Sequence, residues 1–301
     1  MATTTSAAAS GHSRSTSSLR AGKRWQAVIS YTLLVLLAAL FMFPWLWTMG
    51  TSLKTSQELY IFPPPFIPKV PQWSNYPKVF ALIPFANFML NSIIVVALST
   101  VGAVLSALVV AYSFARFRWR GRDVIFAITL ATMMIPAEVT LIPQYLLFKY
   151  AGWLNTFKPL WVPSWFGGGA FNIFLMRQFI MTLPREFDEA ATIDGANPIR
   201  ILITVLAPLM TPVLATISVL SLIWGWNDFM GPLIYLTTPK KFTLALGMRY
   251  FQVSASGQSW GMPTDHLLMA ACVMATTPIL IVFFSAQRYF VRGIVMSGIK
   301  G

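Results

Sequence analysis

The chain has 301 residues, of which 56% are hydrophobic and only 10% are charged. A soluble domain is about 25% charged, so this composition excludes ordinary soluble enzyme folds and predicts an all-α protein that crosses a membrane several times. The net charge of +13 is then best interpreted as an excess of Lys and Arg in cytoplasmic loops rather than as a nucleic-acid surface.

The N-terminal segment, residues 1–22, is rich in Ser, Thr, Ala and Gly and contains no acidic residue. This composition predicts a disordered, basic cytoplasmic tail, with an organelle transit peptide as the alternative. Residues 23–301 form the predicted membrane domain.

Six apolar segments of this domain are assigned as membrane-spanning helices. The predicted spans cover residues 25–47, 88–114, 124–148, 163–182, 198–226 and 265–289. Two of them contain a pair of internal prolines that we expect to kink or break the helix: Pro136 and Pro143 in the third, Pro208 and Pro212 in the fifth.

The distribution of basic residues orients the six spans. Four arginines lie within seven positions directly after the second span, which predicts a cytoplasmic loop there: Arg116, Arg118, Arg120 and Arg122. The same rule places both chain ends in the cytoplasm, and residues 50–85 and 228–264 outside. The polar segment between the fourth and fifth spans is therefore predicted to be cytoplasmic.

That polar segment contains the signals for a short helix, a sharp turn and a second helix. Pro184 suits a first turn, and the acids that follow it complement the positive end of the helix dipole. Gly195 can adopt the left-handed conformation that ends a helix. Asn197 is a good N-cap, and Pro198 a good first residue, for the next helix. A helix is predicted over about 185–195.

One face of this short helix combines small and acidic side chains. Ala190 and Ala191 would let another surface approach closely, and Glu189 and Asp194 offer charge-assisted hydrogen bonds to a partner's Arg or Lys. An ordinary interfacial helix that only links two spans is the alternative interpretation.

The segment Glu189-Ala190-Ala191, followed after two residues by Asp194-Gly195-Ala196, resembles the coupling loop of ABC-importer permease subunits. That family usually has Leu-Pro further along, where this chain has Ala207-Pro208. Further similarities follow in order along the chain. Trp226-Asn227-Asp228-Phe229 and the ending Gly298-Ile299-Lys300-Gly301 resemble carbohydrate permeases, in particular the shorter, six-span subunit of maltose-type importers.

The resemblance implies the type I ABC-importer permease fold and a position in a bacterial or archaeal plasma membrane. It also implies partners: a second, related permease subunit in a heterodimer, two cytoplasmic ABC ATPases and an extracytoplasmic solute-binding protein, all within membrane lipid. ATP and Mg would be used by the ATPase, with no cofactor bound by this chain. The residues implied to couple to the ATPase are Glu189, Ala190, Ala191, Asp194 and Gly195.

The sequence offers no catalytic or metal-binding set of its own. It lacks the G-x-x-x-x-G-K-[ST] phosphate loop, its single cysteine is Cys272, and its two histidines have no ligand-spaced neighbour. We therefore predict a transport subunit and not an enzyme.

The expected solute is a sugar or oligosaccharide, which aromatic platforms with amide and carboxylate groups would bind. Side chains that could face a shared cavity are Asn87, Asn91, Glu138, Gln144, Trp224 and Asn227. Helix packing or interfacial anchoring is the alternative for each of them. The alternative functions are a permease for another solute, such as a glycerophosphodiester or an amino acid, and an ATP-independent secondary transporter.

Overall fold

The computed structural model describes residues 15–258 and 264–298, and its regular elements in these ranges are helices. Six α-helices have eight residues or fewer. In chain order the α-helices are α1 Ser15–Ser52, α2 Asn75–Leu82, α3 Phe85–Arg116, α4 Arg122–Ala131, α5 Ala137–Tyr150, α6 Lys158–Trp161, α7 Ala170–Thr182, α8 Glu186–Ile193, α9 Pro198–Arg200, α10 Ala207–Leu209, α11 Thr211–Asn227, α12 Met230–Tyr235, α13 Leu244–Gln258 and α14 Asp265–Gly298.

Three helices of the described part are long and apolar enough to cross a membrane unaided. They are Trp25–Ser52 within α1, Phe85–Arg116 and Asp265–Gln287 within α14. They correspond to the first, second and sixth predicted spans. Helix α1 begins at Ser15, within the segment predicted to be a tail, and residues 1–14 lie outside the described part.

The third and fifth predicted spans are broken helices. Helices α4 and α5 meet at 101°, with a 3-10 turn at Thr132–Met134 between them. The break falls at Pro136, as predicted, but Pro143 lies inside α5 without breaking it. In the fifth span, α9, a π-helical stretch Ile201–Leu206 and α10 lead to an 82° bend before α11. The bend lies between Pro208 and Pro212, where two backbone N–H donors are missing.

The fourth predicted span, residues 163–182, is wrong as a single helix. Helix α7 has only 13 residues, about 20 Å of rise, against the roughly 30 Å thickness of a bilayer core. The stretch before it contains a 3-10 turn at Val162–Trp165 and three glycines with positive φ, from Gly167 to Gly169. The apolar composition of this stretch resembled a span, but its glycines adopt a conformation that no helix continues.

Helix α3 is the centre of the fold because it belongs to both buried clusters. Its C-terminal half packs with α7, the π-helical stretch and α11 around Met176, Leu206 and Ile217, all with no solvent exposure. Its N-terminal end packs with α2, α13 and α14 around Phe88 and Ala270. By contrast, the apolar part of α1 is not buried in this chain, so lipid or a partner subunit must cover it.

The segment between α1 and α2 is held by a compact polar network. The Asn75 amide donates to the carbonyls of Ser52 and Lys54, each at 2.9 Å. The backbone N–H groups of Thr55 and Lys69 donate to the carboxylate of buried Glu58, at 3.0 and 2.9 Å. These two backbone donors hold the pKa of Glu58 below its usual range, against the opposing effect of burial.

Candidate coupling surface and translocation cavity

The segment from Pro184 to Pro198 has the local structure that the sequence predicts. Helix α8 begins with acidic residues in its first turn and ends in a Schellman motif. The N–H of Ala196 donates to the carbonyl of Ala191 at 2.9 Å, and the N–H of Gly195 to that of Thr192 at 3.0 Å. Gly195 has φ +80°, the left-handed conformation that such an ending requires. These bonds fix the direction in which the chain leaves the helix.

The next helix starts with the predicted cap. The Asn197 side-chain oxygen accepts a hydrogen bond from the N–H of Arg200 at 2.8 Å, and Pro198 follows at the first helical position. Helix α8 and the start of the fifth span are thus joined by a short turn with defined hydrogen bonds.

An ion pair that the sequence analysis missed fastens α8 to the central helix. Arg116, the last residue of α3, lies 2.9 Å from Asp188, measured from Nε to Oδ2, and the two side chains are only 8% and 19% exposed. Arg116 also donates from Nη2 to the carbonyl of Leu183 at 3.1 Å. The sequence contains no local signal for this pair, because the partners lie on separate elements.

The five predicted coupling residues divide between the outer and inner sides of α8. Glu189, Ala190, Asp194 and Gly195 are exposed, whereas Ala191 is half-buried and packs against the core cluster around Met176 and Leu206. Apolar side chains next to the exposed set face outward as well: Phe187 is 44%, Ile193 87% and Ile199 70% exposed. The exposed side of α8 is therefore a small, mixed apolar and acidic surface, while Asp188 and Ala191 hold the helix to the rest of the protein.

A cavity of about 570 Å³ lies where α3, α7 and α11 meet. It is open, and the aromatic side chains of Phe171 and Trp224 pack edge to face in its wall, with ring centroids 5.7 Å apart. The lining residues are Ser99, Ala103, Thr132, Met133, Leu160, Ser164, Gly168, Gly169, Ala170, Phe171, Asn172, Ser221, Trp224, Gly225 and Asp228.

Two buried polar atoms belong to residues of this cavity wall and have no hydrogen-bond partner within the described part of the protein. They are the side-chain oxygen of Asn172 and the hydroxyl of Ser221. Asn172 uses only its Nδ2, which donates to the carbonyl of Gly168 at 2.7 Å. Because unpaired buried polar atoms are costly, these two would gain from a hydrogen-bond partner, but both are sealed from solvent in this conformation and a solute could reach them only after the wall opens.

A second cavity of about 270 Å³ adjoins the first, and Leu160 and Asp228 line both. Asp228 accepts a hydrogen bond from the N–H of Gly231 at 3.1 Å. The wall of this second cavity also includes Gln144, which donates to the hydroxyl of Thr140 at 3.1 Å.

The structure brings together two of the six predicted pathway residues, Trp224 and Gln144, through these adjoining cavities. The other four line neither cavity. The Asn91 amide donates to the carbonyls of Lys240 and Phe242 and so fastens α3 to the segment before α13. Asn227 donates to Ile223 on its own helix, while Asn87 and Glu138 are exposed.

Asn172, Ser221 and Asp228 were not among the predicted pathway residues. Asp228 had a sequence signal, as the first charged residue after the fifth span. Asn172 and Ser221 had no sequence signal, because an isolated polar residue in an apolar helix is as often a packing residue.

Among the described residues, no cluster of His, Cys, Asp and Glu could hold a metal ion.

The sequence profile of one family, described as "Binding-protein-dependent transport system inner membrane component", matches residues 103–296, more than half of the chain. The sn-glycerol-3-phosphate transport system permease protein UgpE of Escherichia coli O1:K1 is 30% identical over 280 residues, which cover 91% of this chain and 97% of that protein. The osmoprotective compounds uptake permease protein GgtD of Synechocystis is 31% identical over 226 residues, covering 75% and 74%.

Among solved structures, a bacterial ABC transporter involved in the import of the acidic polysaccharide alginate has a chain similar to this one. Its TM-score is 0.76 at 27% identity, and the match covers 94% of this chain and 100% of that chain. The chain is therefore a multi-pass, all-α membrane protein. It belongs to the family of inner membrane components of binding-protein-dependent transport systems, as the permease subunit of an ABC importer and not as an enzyme.

Proposed function

We propose that this chain is one of two different permease subunits in an ATP-driven importer of a neutral sugar or oligosaccharide. Two ABC ATPases bind from the cytoplasm and use ATP and Mg, and a binding protein delivers the solute from outside a bacterial or archaeal plasma membrane. The observation that carries this proposal is helix α8, whose Glu189 and Asp194 face outward while Asp188 and Ala191 anchor it.

The arrangement of α8 suits the transmission of force. An ATPase cleft would close around the exposed Ala190, with Glu189 forming an ion pair to a basic residue of the ATPase. Movement of the ATPase would then pull on α3 through the Asp188–Arg116 pair and on the fifth span through the Asn197 cap. The spans would alternate between inward-open and outward-open arrangements in response.

The charge of the cavity supports a neutral solute. Among the described residues that line the larger cavity, Asp228 is the one ionisable residue, and none is Lys or Arg. A phosphate or uronate would meet a carboxylate there without a compensating cation, which is unfavourable at low dielectric. A neutral sugar could instead stack on the Phe171–Trp224 pair and, once the wall has opened, donate hydroxyl hydrogens to Asn172 and Ser221.

A glycerol phosphate is the second candidate solute, because UgpE, at 30% identity, is named for sn-glycerol-3-phosphate transport. Cations for such a solute would have to come from the second permease subunit. An ATP-independent secondary transporter is disfavoured, because the family depends on a binding protein and α8 offers a surface for a separate motor.

The coupling role is tested with the transporter reconstituted in vesicles together with its ATPases and binding protein. Glu189→Lys should reduce solute uptake and binding-protein-stimulated ATP hydrolysis by about tenfold or more, since it reverses a charge at the contact. Glu189→Asp keeps the carboxylate and should retain most of the activity. Normal uptake by a well-inserted Glu189→Lys subunit would reject the coupling role.

The solute is tested by competition in the same vesicles. Neutral oligosaccharides should compete with the transported solute, and sn-glycerol 3-phosphate should not. Competition by the phosphate ester alone would select the second candidate instead.

A further inference from the structure

A third cavity, polar and separate from the two cavities described above, lies beside α8. It has a volume of about 300 Å³ and is bounded by the end of α3, the start of α4, the end of α7 and the residues just before α8. Nine residues line it: Phe114, Ala115, Arg116, Arg118, Arg122, Arg177, Met181, Leu183 and Arg185. We call it the arginine pocket, because five of these residues are arginines from three separate parts of the chain.

Only two of the five arginines have a carboxylate partner in the described part of the protein. Arg116 pairs with Asp188, and Arg122 pairs with Asp123 through two contacts of 2.9 and 3.2 Å. The other three arginines form no ion pair in the described part of the protein: Arg118, Arg177 and Arg185. Arg177 interacts with the charge of Asp123 at longer range, and Arg118 and Arg185 are exposed to solvent. Such a concentration of like charge is unfavourable unless solvent or a bound anion compensates it.

The pocket is also partly preorganised. The guanidinium of Arg177 lies 4.2 Å from the ring centroid of Phe126, and its Nε donates to the carbonyl of Phe114 at 3.4 Å. Arg116 is fixed by its ion pair and by the Leu183 carbonyl. Fixed guanidinium groups match the geometry of phosphate oxygens better than mobile lysines do, and they lose less side-chain entropy on binding.

We propose that the arginine pocket binds a phosphate group. The phosphate would belong either to the head group of an anionic phospholipid of the cytoplasmic leaflet or to a soluble phosphate. The bound group links the loop after α3, the end of α7 and, through Arg185, the residues that start α8. It thereby stabilises the attachment of α8 to α3 and α7, so transport activity depends on the anion.

Binding of a phosphate group does not depend on the solute or on the coupling role of Glu189, so either can fail without the other. Only the lipid source requires the pocket to lie at the cytoplasmic membrane surface, where anionic head groups and basic loops meet.

The first experiment compares phospholipid retention by the intact transporter, purified in detergent with its partner subunits, using native mass spectrometry. The test variant is Arg118→Gln combined with Arg185→Gln, which removes two unpaired arginines. The matched control is Arg120→Gln, because Arg120 is an exposed arginine of the same loop that does not line the pocket. Wild type and control should retain phosphatidylglycerol, and the double variant should bind it roughly thirtyfold more weakly, about tenfold for each 1.4 kcal/mol lost.

The second experiment identifies the source of the phosphate. Inorganic phosphate is titrated into transporter freed of anionic lipid, and the unfolding temperature is recorded. A rise for wild type and the Arg120→Gln control, absent in the double variant, assigns the site to soluble phosphate. Retention of phosphatidylglycerol without a response to inorganic phosphate assigns it to lipid.

Equal phosphatidylglycerol retention and equal phosphate response in all three proteins would overturn the proposal. The double variant Arg118→Lys with Arg185→Lys guards against a folding defect. It keeps both charges but not the guanidinium geometry, so it should bind more tightly than the double Gln variant and more weakly than wild type. Failure of all the proteins to bind either probe would overturn the proposal as well.

Discussion

The ion pair between α3 and α8 makes a quantitative prediction about the stiffness of the coupling helix. Asp188→Asn removes the carboxylate and leaves Arg116, whose side chain is 8% exposed, without its ionic partner. Breaking a fully buried pair costs about 3–5 kcal/mol, and an exposed pair contributes about 0–1 kcal/mol. This pair is intermediate in burial, and Arg116 keeps its bond to the Leu183 carbonyl. We therefore expect a loss of about 2 kcal/mol.

Such a loss should increase local opening of α8 by roughly thirtyfold, since about 1.4 kcal/mol corresponds to a factor of ten. Hydrogen exchange of a peptide covering residues 184–196 measures this opening directly. The matched control is Asp194→Asn, a carboxylate at the end of the same helix that is exposed and forms no ion pair within the described part of the chain. If Asp188→Asn exchanges as slowly as the control, the pair does not hold α8, and the proposal that force passes from α8 to α3 through this pair is wrong.

Three further predictions concern other parts of the chain. Gly168→Ala should lower the unfolding temperature well below that of Gly169→Ala. Both glycines have positive φ, but only the first substitution places a Cβ against a backbone oxygen, that of Ala103. Equal shifts would contradict the packing described. Glu58→Gln should lower stability at neutral pH, because the folded-state pKa of Glu58 is depressed. The difference in stability from wild type should be present above the ordinary glutamate pKa of about 4.3 and should vanish as the pH falls through the folded-state pKa. Thermal melts from pH 7 downward measure this difference, and a difference that does not change with pH would refute the prediction. Trp224→Ala should raise the solute concentration for half-maximal uptake by roughly tenfold, given the strength of aromatic contacts. The rate of ATP hydrolysis in the absence of solute should stay the same. Unchanged uptake would exclude Trp224 from the pathway.

Much of this architecture could be predicted from the sequence because lipid imposes simple rules on composition. Apolar length located the first, second and sixth spans, and Pro136 marked the break in the third. Turn chemistry was equally informative around α8, where Gly195 and Asn197 each adopt the conformation expected of them. These features depend on a few neighbouring residues, so the sequence contains them directly.

The errors arose where tertiary contacts decide the structure. The fourth span was assigned too long, because apolar composition does not reveal that Gly167 to Gly169 have positive φ. The Arg116–Asp188 pair joins elements that are far apart in the chain, so neither residue indicated the other. The roles of Glu189 and of the pathway residues remain predictions for the experiments above.

The most direct test of the central claim is the side of the membrane on which α8 lies. Ala190→Cys in a Cys272→Ala background provides a unique, exposed thiol, because Cys272 is the only native cysteine. A membrane-impermeant maleimide should label position 190 in inside-out vesicles and not in intact cells, while a cysteine at Ile67, 74% exposed in the outer segment, should show the reverse. Labelling of position 190 from outside intact cells would contradict the account, because a cytoplasmic ATPase could not then reach the helix.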